Sequence, residues 1–156
     1  MKHVTTLFLV LAAVAAIAAA LTSGDVIWRD RLGDDAPLTR ADLMIVAPYN
    51  AQVTALSGTL RDVRIGTVDK FQGQQAPVVI VSLTTSTPED APRGMDFLYN
   101  ANRLNVATSR ARGLCILVGN PRLFEPDCRT PLEMRLANAF CRYRELARVV
   151  PLPRTL

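Results

Sequence analysis

Apolar residues along this chain fall into stretches of two different periods. From Val4 to Leu21 no charged residue occurs, and Leu11, Val14, Ile17 and Leu21 recur at helical spacing with alanines on the other faces. This predicts a long N-terminal helix stopped at Thr22-Ser23-Gly24. A short Val26-Ile27-Trp28 segment follows, then a polar turn through Gly33-Asp34-Asp35-Ala36-Pro37 and a single helical turn capped by Thr39. Leu43-Met44-Ile45-Val46-Ala47 is a continuous apolar run ended by Pro48, the pattern of a parallel strand buried on both faces. Asn50 then begins a helix with Val53 and Leu56 inward. Val63–Val68 reads as a strand, and 69–72 as one turn of helix leading to Gly73.

Pro77-Val78-Val79-Ile80-Val81-Ser82-Leu83 is the strongest strand signal, rich in β-branched residues. A loop with Pro88, Pro92 and Gly94 follows. The stretch 97–112 reads as helical, with Leu98, Ala101, Leu104 and Ala107 near one face, and Leu114–Val118 as another buried strand. Thr130-Pro131-Leu132-Glu133 opens the last helix with capping-box chemistry and proline at its first position; it runs to about Ala147. Strands alternating with helices predict an α/β three-layer domain with a mostly parallel sheet. The organisation is an apolar helix at 1–24, a domain at 25–148 and a tail at 149–156. In such sheets ligands sit at the carboxyl ends of strands. This directs attention to Pro48–Gln52, Asp69–Gln75 and the region 102–112.

Charge and composition narrow the chemistry. The chain has 156 residues and a net charge of +4. The positive excess lies in residues 101–156, where arginine is the only basic residue type, so an anionic ligand near the C-terminal half competes with a solvated basic face. One histidine (His3) and three scattered cysteines (Cys115, Cys128, Cys141) leave neither a zinc cluster nor a serine–histidine–carboxylate triad. The cysteines read as small buried residues rather than a disulfide scaffold. Lys2 and His3 ahead of the uncharged stretch, with Ala18-Ala19-Ala20 near its end, also fit a secretory signal or short anchor, the alternative to a core helix.

Two segments carry candidate chemistry. Gly66-Thr67-Val68-Asp69-Lys70-Phe71-Gln72-Gly73-Gln74-Gln75 places small, hydroxyl and amide groups between two strands, where backbone amides can approach a phosphate. Thr67 and Gln72 can add side-chain hydrogen bonds, or Thr67 and Asp69 can merely cap a turn. In Asn102-Arg103-Leu104-Asn105-Val106-Ala107-Thr108-Ser109-Arg110-Ala111-Arg112, Arg103 and Arg110 are two helical turns apart and so project from a similar side. Guanidinium groups held in this way suit bidentate phosphate binding, with a solvated helix face as the plainer alternative.

In order and spacing these segments resemble superfamily 1 helicases, in the branch that includes the nonsense-mediated-decay RNA helicase. Thr67–Gln74 resembles motif V, the 102–112 stretch motif VI, and Ala47-Pro48-Tyr49-Asn50-Ala51-Gln52-Val53 motif IV; Asn120-Pro121 after the last strand also fits. The resemblance implies a second RecA-like motor domain, truncated at its N-terminus, with a mostly parallel sheet. It implies that Arg110 is the arginine finger of ATP hydrolysis, and that Gly73, Gln75, Arg103 and Arg110 contact the nucleotide. Gln75 stands where the family usually has a glutamate that bonds the ribose. Thr67, Gln72 and Asn105 are the implied nucleic-acid contacts, and Tyr49 and Gln52 the motif IV positions.

No G-x-x-x-x-G-K-[ST] phosphate loop occurs in the sequence, and no Asp-Glu pair follows a buried strand. ATP with Mg²⁺ is therefore expected only with a first RecA-like domain, supplied by upstream sequence or another chain. The chain alone is expected to be inactive. Single-stranded DNA or RNA is the implied polymer. The implied setting is the cytoplasm without stable membrane association, against secretion or anchoring through residues 1–24. The alternative function is a non-catalytic nucleic-acid-binding or interaction module on the same scaffold.

Overall fold

A computed structural model describes residues 2–83, 85, 87 and 91–151, with residues 2–8 described by their backbone path alone. Pro88 of the predicted loop and the tail beyond Pro151 lie outside these residues. The chain opens with α1 (Lys2–Leu21). Its buried stripe is Val10, Ala13, Val14 and Ala18, while Leu11, Ile17 and Leu21 pack partly covered at its flanks. The stripe is thus shifted from the one predicted: small alanines face inward, because a residue without a long side chain lets the helix approach the sheet closely. A hairpin of β1 (Ile27–Arg29) and β2 (Asp35–Pro37) follows, antiparallel and separate from the main sheet. Leu38 continues it, its amide bonded to the Val26 carbonyl at 2.8 Å and its side chain buried. The predicted turn at Thr39 forms a 3₁₀ turn, Arg40–Asp42, in which the Asp42 carboxylate accepts from the Thr39 amide and hydroxyl at 2.9 and 2.6 Å.

The main sheet contains β3 (Leu43–Val46), β4 (Arg64–Gly66), β5 (Ala76–Ser82) and β6 (Ala111–Val118). Its spatial order is β4-β3-β5-β6 and every pairing is parallel. From β3 the chain passes through α2 (Asn50–Thr59) outward to β4. It then crosses back past β3 to β5, and goes on through α3 (Gly94–Leu98) and α4 (Ala101–Thr108) to β6. The direction of winding therefore changes between β3 and β5. Alternate strand residues supply two cores. Leu43, Ile45, Val78 and Ile80 face α1 and α2. Met44, Val46, Val79 and Val81 face the other layer, α3, α4 and α5 (Pro131–Leu146). This is the three-layer, mostly parallel arrangement of a RecA-like domain.

Two elements depart from the reading of the pattern. The stretch 97–112 is two helices and the start of a strand. Tyr99 breaks the helix because its ring is fully buried and its hydroxyl donates to the Leu123 carbonyl at 2.7 Å. The Asn100 side chain then accepts the Arg103 amide at 3.0 Å and caps a new helix. β6 begins three residues before the predicted Leu114, and it is an edge strand. Arg112, Gly113 and Leu114 are exposed and only Val118 is buried. The last helix follows its sequence signal: Thr130 Oγ1 accepts from the Glu133 amide at 3.2 Å, and Glu133 accepts from the Thr130 amide at 3.1 Å. Among the described residues no helix is long and apolar enough to cross a membrane.

Candidate nucleotide and nucleic-acid site

The predicted site residues divide between the two ends of the sheet. Because α4 runs antiparallel to the strands it joins, its first turn lies at their carboxyl ends and its last turn at their amino ends. The expectation that Arg103 and Arg110 share one helical face does not hold. The helix ends at Thr108, and Arg110 sits in the turn that leads into β6. Seven residues at about 1.5 Å per residue would already separate them by roughly 10 Å along a helix axis.

The amino end gathers Gly73, Gln75 and Arg110. The Arg110 carbonyl accepts the Ala76 amide at 3.0 Å, fixing the turn before β6 beside the loop before β5. Arg64, at the start of β4, donates to the Gln75 carbonyl and to the Ala41 carbonyl, both at 3.3 Å. Its Nε is buried without a partner. One guanidinium thus holds the approaches to β3 and β5 together. Gly73 has φ +78°, a left-handed conformation that favours glycine, and no atom lies within 4 Å of where a Cβ would stand. Its backbone is open to a ligand. Gly66 is different: the stem of Lys70 fills the space over it, and the Lys70 ammonium bonds the Ile65 carbonyl at 2.9 Å. The Arg110 guanidinium folds back on α4, Nε donating to the Val106 carbonyl at 3.2 Å. The side chains of Gln72, Gln75 and Asn105 are exposed.

The carboxyl end gathers Tyr49, Thr67, Arg103 and residues that the sequence did not single out. Arg103 is 3.8 Å from the Asp69 carboxylate and its guanidinium carbon is 4.4 Å from the centre of the Phe97 ring. Arg93 lies over the same ring at 4.1 Å, and Tyr49 stacks on it at 5.5 Å with 25° between planes. Burial pushes the Tyr49 phenol up, opposed by the Thr85 hydroxyl and the Arg93 charge. Below them a cavity of about 40 Å³ is lined by Val46, Pro48, Val68, Phe97, Arg103 and Phe140 among others. Gln52 is fully buried and its amide donates to Ser82 Oγ, tying α2 to the end of β5. That bond gives the motif IV glutamine a structural contact. Thr67 is half-buried at the end of β4, its carbonyl accepting the Lys70 amide at 3.1 Å.

Sequence reasoning missed Arg64, Arg93, Phe97 and Thr85. An aromatic residue between arginines four before and six after it was the available signal for Phe97. Arg64 gave none, since it reads as an ordinary strand residue. Among the described residues, no group of three or more His, Cys, Asp or Glu side chains is placed to hold a metal ion. Gly73, with its open backbone, and Arg110 both lie at the amino end of the sheet.

Comparison with known proteins agrees with the fold and the motifs. The family described as AAA domain matches residues 19–122. The chain is 35% identical to the RNA helicase Mov10l1 of Homo sapiens over 98 residues, covering 58% of this chain and 8% of that protein. It is 40% identical to the DNA polymerase alpha-associated DNA helicase A of Saccharomyces cerevisiae over 82 residues, covering 49% of this chain and 12% of that protein. The chain thus spans about a tenth of the length of these relatives. With the motif order and the parallel sheet, a match over residues 19–122 places the chain in the AAA-domain family of superfamily 1 helicases.

Proposed function

We propose that this chain is the second motor domain of an ATP-dependent nucleic-acid helicase, a segment of a longer machine whose first motor domain supplies the phosphate loop. The observation that carries this reading is the pairing of Arg110 with the 73–75 loop through the Ala76 amide. It joins the backbone at Arg110 to the end of the loop that carries the open Gly73 backbone, so both belong to one end of the sheet, the end that a cleft between two motor domains would use. ATP, when bound with Mg²⁺ by that first domain, supplies the phosphoanhydride bond that is hydrolysed. On this side, Gly73 offers an unobstructed amide, Gln75 an amide side chain for the ribose, and Arg110 a charge for the transferred phosphoryl group. Arg110 leaves the Val106 carbonyl to extend, and its planar donors then match phosphate oxygens in pairs. Such fingers accelerate phosphoryl transfer by roughly 10³–10⁵.

At the carboxyl end Thr67 contacts the single strand, DNA or RNA; Gln72, next to Gly73, and Asn105, midway along α4, are exposed but stand away from that end and are the weaker strand candidates. Arg103, which the family resemblance assigns to the nucleotide, stands at this end and is better suited to the strand. The cytoplasm is the proposed setting, and α1, whose Val10, Ala13, Val14 and Ala18 are buried in one of the two cores, acts as part of the domain. The test is ATP turnover with single-stranded DNA or RNA. The chain alone should be inactive, and adding a phosphate-loop motor domain should produce turnover that Arg110→Ala abolishes. Robust turnover by the chain alone would contradict the half-motor reading. Strand binding with no turnover under any complementation would favour the non-catalytic module.

A further inference from the structure

Phe97 carries more charge than a ring at the mouth of an apolar cavity ordinarily does. The guanidinium carbons of Arg93 and Arg103 stand 4.1 and 4.4 Å from its centre, so the two cations are no farther apart than those distances laid end to end. Attraction to the ring holds each of them, while their like charges repel. One carboxylate answers them, Asp69 at 3.8 Å from Arg103; among the described residues Arg93 forms no ion pair. Tyr49, whose ring stacks on Phe97, turns its buried hydroxyl to that of Thr85, which is 5% exposed. Among the described residues, the place is rich in donors and poor in acceptors. An oxyanion with several acceptor oxygens is the group that would answer two guanidinium groups held this close.

We propose that Arg93 and Arg103, gathered on Phe97 at the carboxyl ends of β3 and β5, bind a backbone phosphate of single-stranded nucleic acid. This rests on the reading of the chain as a nucleic-acid-binding motor domain and names the residues that grip the strand. A polynucleotide phosphate fits better than the phosphates of ATP, because Gly73, Gln75 and Arg110 lie at the opposite end of the sheet. Phe97 acts as a brace: it holds both guanidinium groups before the ligand arrives, so less side-chain freedom is lost on binding.

The experiment is a titration of the full chain with fluorescent single-stranded RNA and DNA 12-mers, read by anisotropy across a series of salt concentrations. Arg93→Ala is expected to weaken binding about 5–10-fold and to lower the salt slope by about one. Phe97→Leu, which keeps an apolar side chain, is expected to weaken it at least as much with an unchanged helical circular-dichroism signal, and Arg93→Lys to recover part of the affinity. If Arg93→Ala and Arg93→Glu leave affinity and slope unchanged while Thr67→Ala weakens binding, the phosphate site is wrong and the nucleic-acid reading stands. If the unaltered chain binds neither oligonucleotide, both fail. Weakened binding of a fluorescent ATP analogue by Arg93→Ala, with oligonucleotide affinity intact, would also overturn the site.

Discussion

The two ends of the sheet are built differently. At the amino end, polar bonds to main-chain carbonyls set the geometry. Arg64 ties the Gln75 and Ala41 carbonyls, and the Ala76 amide ties the Arg110 carbonyl. The side chains proposed to meet a ligand there, Gln75 and Arg110, stand on a backbone fixed by main-chain bonds that do not involve those side chains. At the carboxyl end, stacking sets the geometry: Tyr49, Arg93 and Arg103 are all placed by Phe97 over an apolar cavity. The first arrangement leaves Arg110 able to leave Val106 and reach outward. The second holds its charges still. A finger that engages once per catalytic cycle suits the former, and a grip on a strand suits the latter. α4 connects them, with Arg103 at its start and Arg110 just past its end, so a shift of this one helix moves both sites.

The comparison can be broken by substitutions at either end, beginning with the largest effect. Arg110→Ala, in the presence of a complementing first motor domain, is expected to lower ATP turnover by roughly 10³ or more with oligonucleotide affinity unchanged. Steady-state turnover and anisotropy on the same preparation check this. Phe140 is 2% exposed, packs on Tyr99 at 4.8 Å and lines the carboxyl-end cavity. Phe140→Ala should cost about 3–5 kcal/mol of stability, read by denaturant unfolding, and loosen the carboxyl end first. Arg64→Met removes two hydrogen bonds to carbonyls and leaves the carboxyl end intact. Its expected cost is about 1 kcal/mol, or about 2–4 °C in melting temperature.

The smallest effect lies at the β1–β2 hairpin, away from both ends. Arg29 holds the Asp35 carboxyl below its ordinary pKa through hydrogen bonds at 2.6 and 2.7 Å. A carboxyl depressed in the folded state stabilises above its unfolded pKa and ceases to as pH falls through the folded one. Asp35→Asn should therefore change the melting temperature slightly at neutral pH and not at all at strongly acid pH. The pair is exposed, so the change should be small.

Much of this architecture was legible in the sequence where local chemistry and tertiary packing agree. The 77–83 run and the Thr130–Glu133 capping box fall where the pattern puts them, because each is decided by a few neighbouring residues. The motif IV, V and VI stretches likewise pointed to a helicase domain. The helix break at Tyr99 was hidden because the apolar spacing of Leu98, Leu104 and Ala107 continues across it. What breaks it is a hydroxyl reaching Leu123, far along the chain. The division of the site between two ends was hidden for a similar reason. Motif spacing fixes which residues belong together in sequence, but strand order and the direction of α4 decide which meet. Phe97 was read as the first residue of a helix, and only the fold brings Tyr49 and Arg103 to its ring.

The central claim is that nucleic acid and nucleotide use opposite ends of one sheet. Hydrogen–deuterium exchange of the full chain, with and without a saturating single-stranded oligonucleotide, tests it most directly. The account predicts new protection in peptides covering 48–53, 67–70 and 93–104, and unchanged exchange across 73–76 and 109–112. Protection confined to 73–76 and 109–112, with the carboxyl end unchanged, would contradict it.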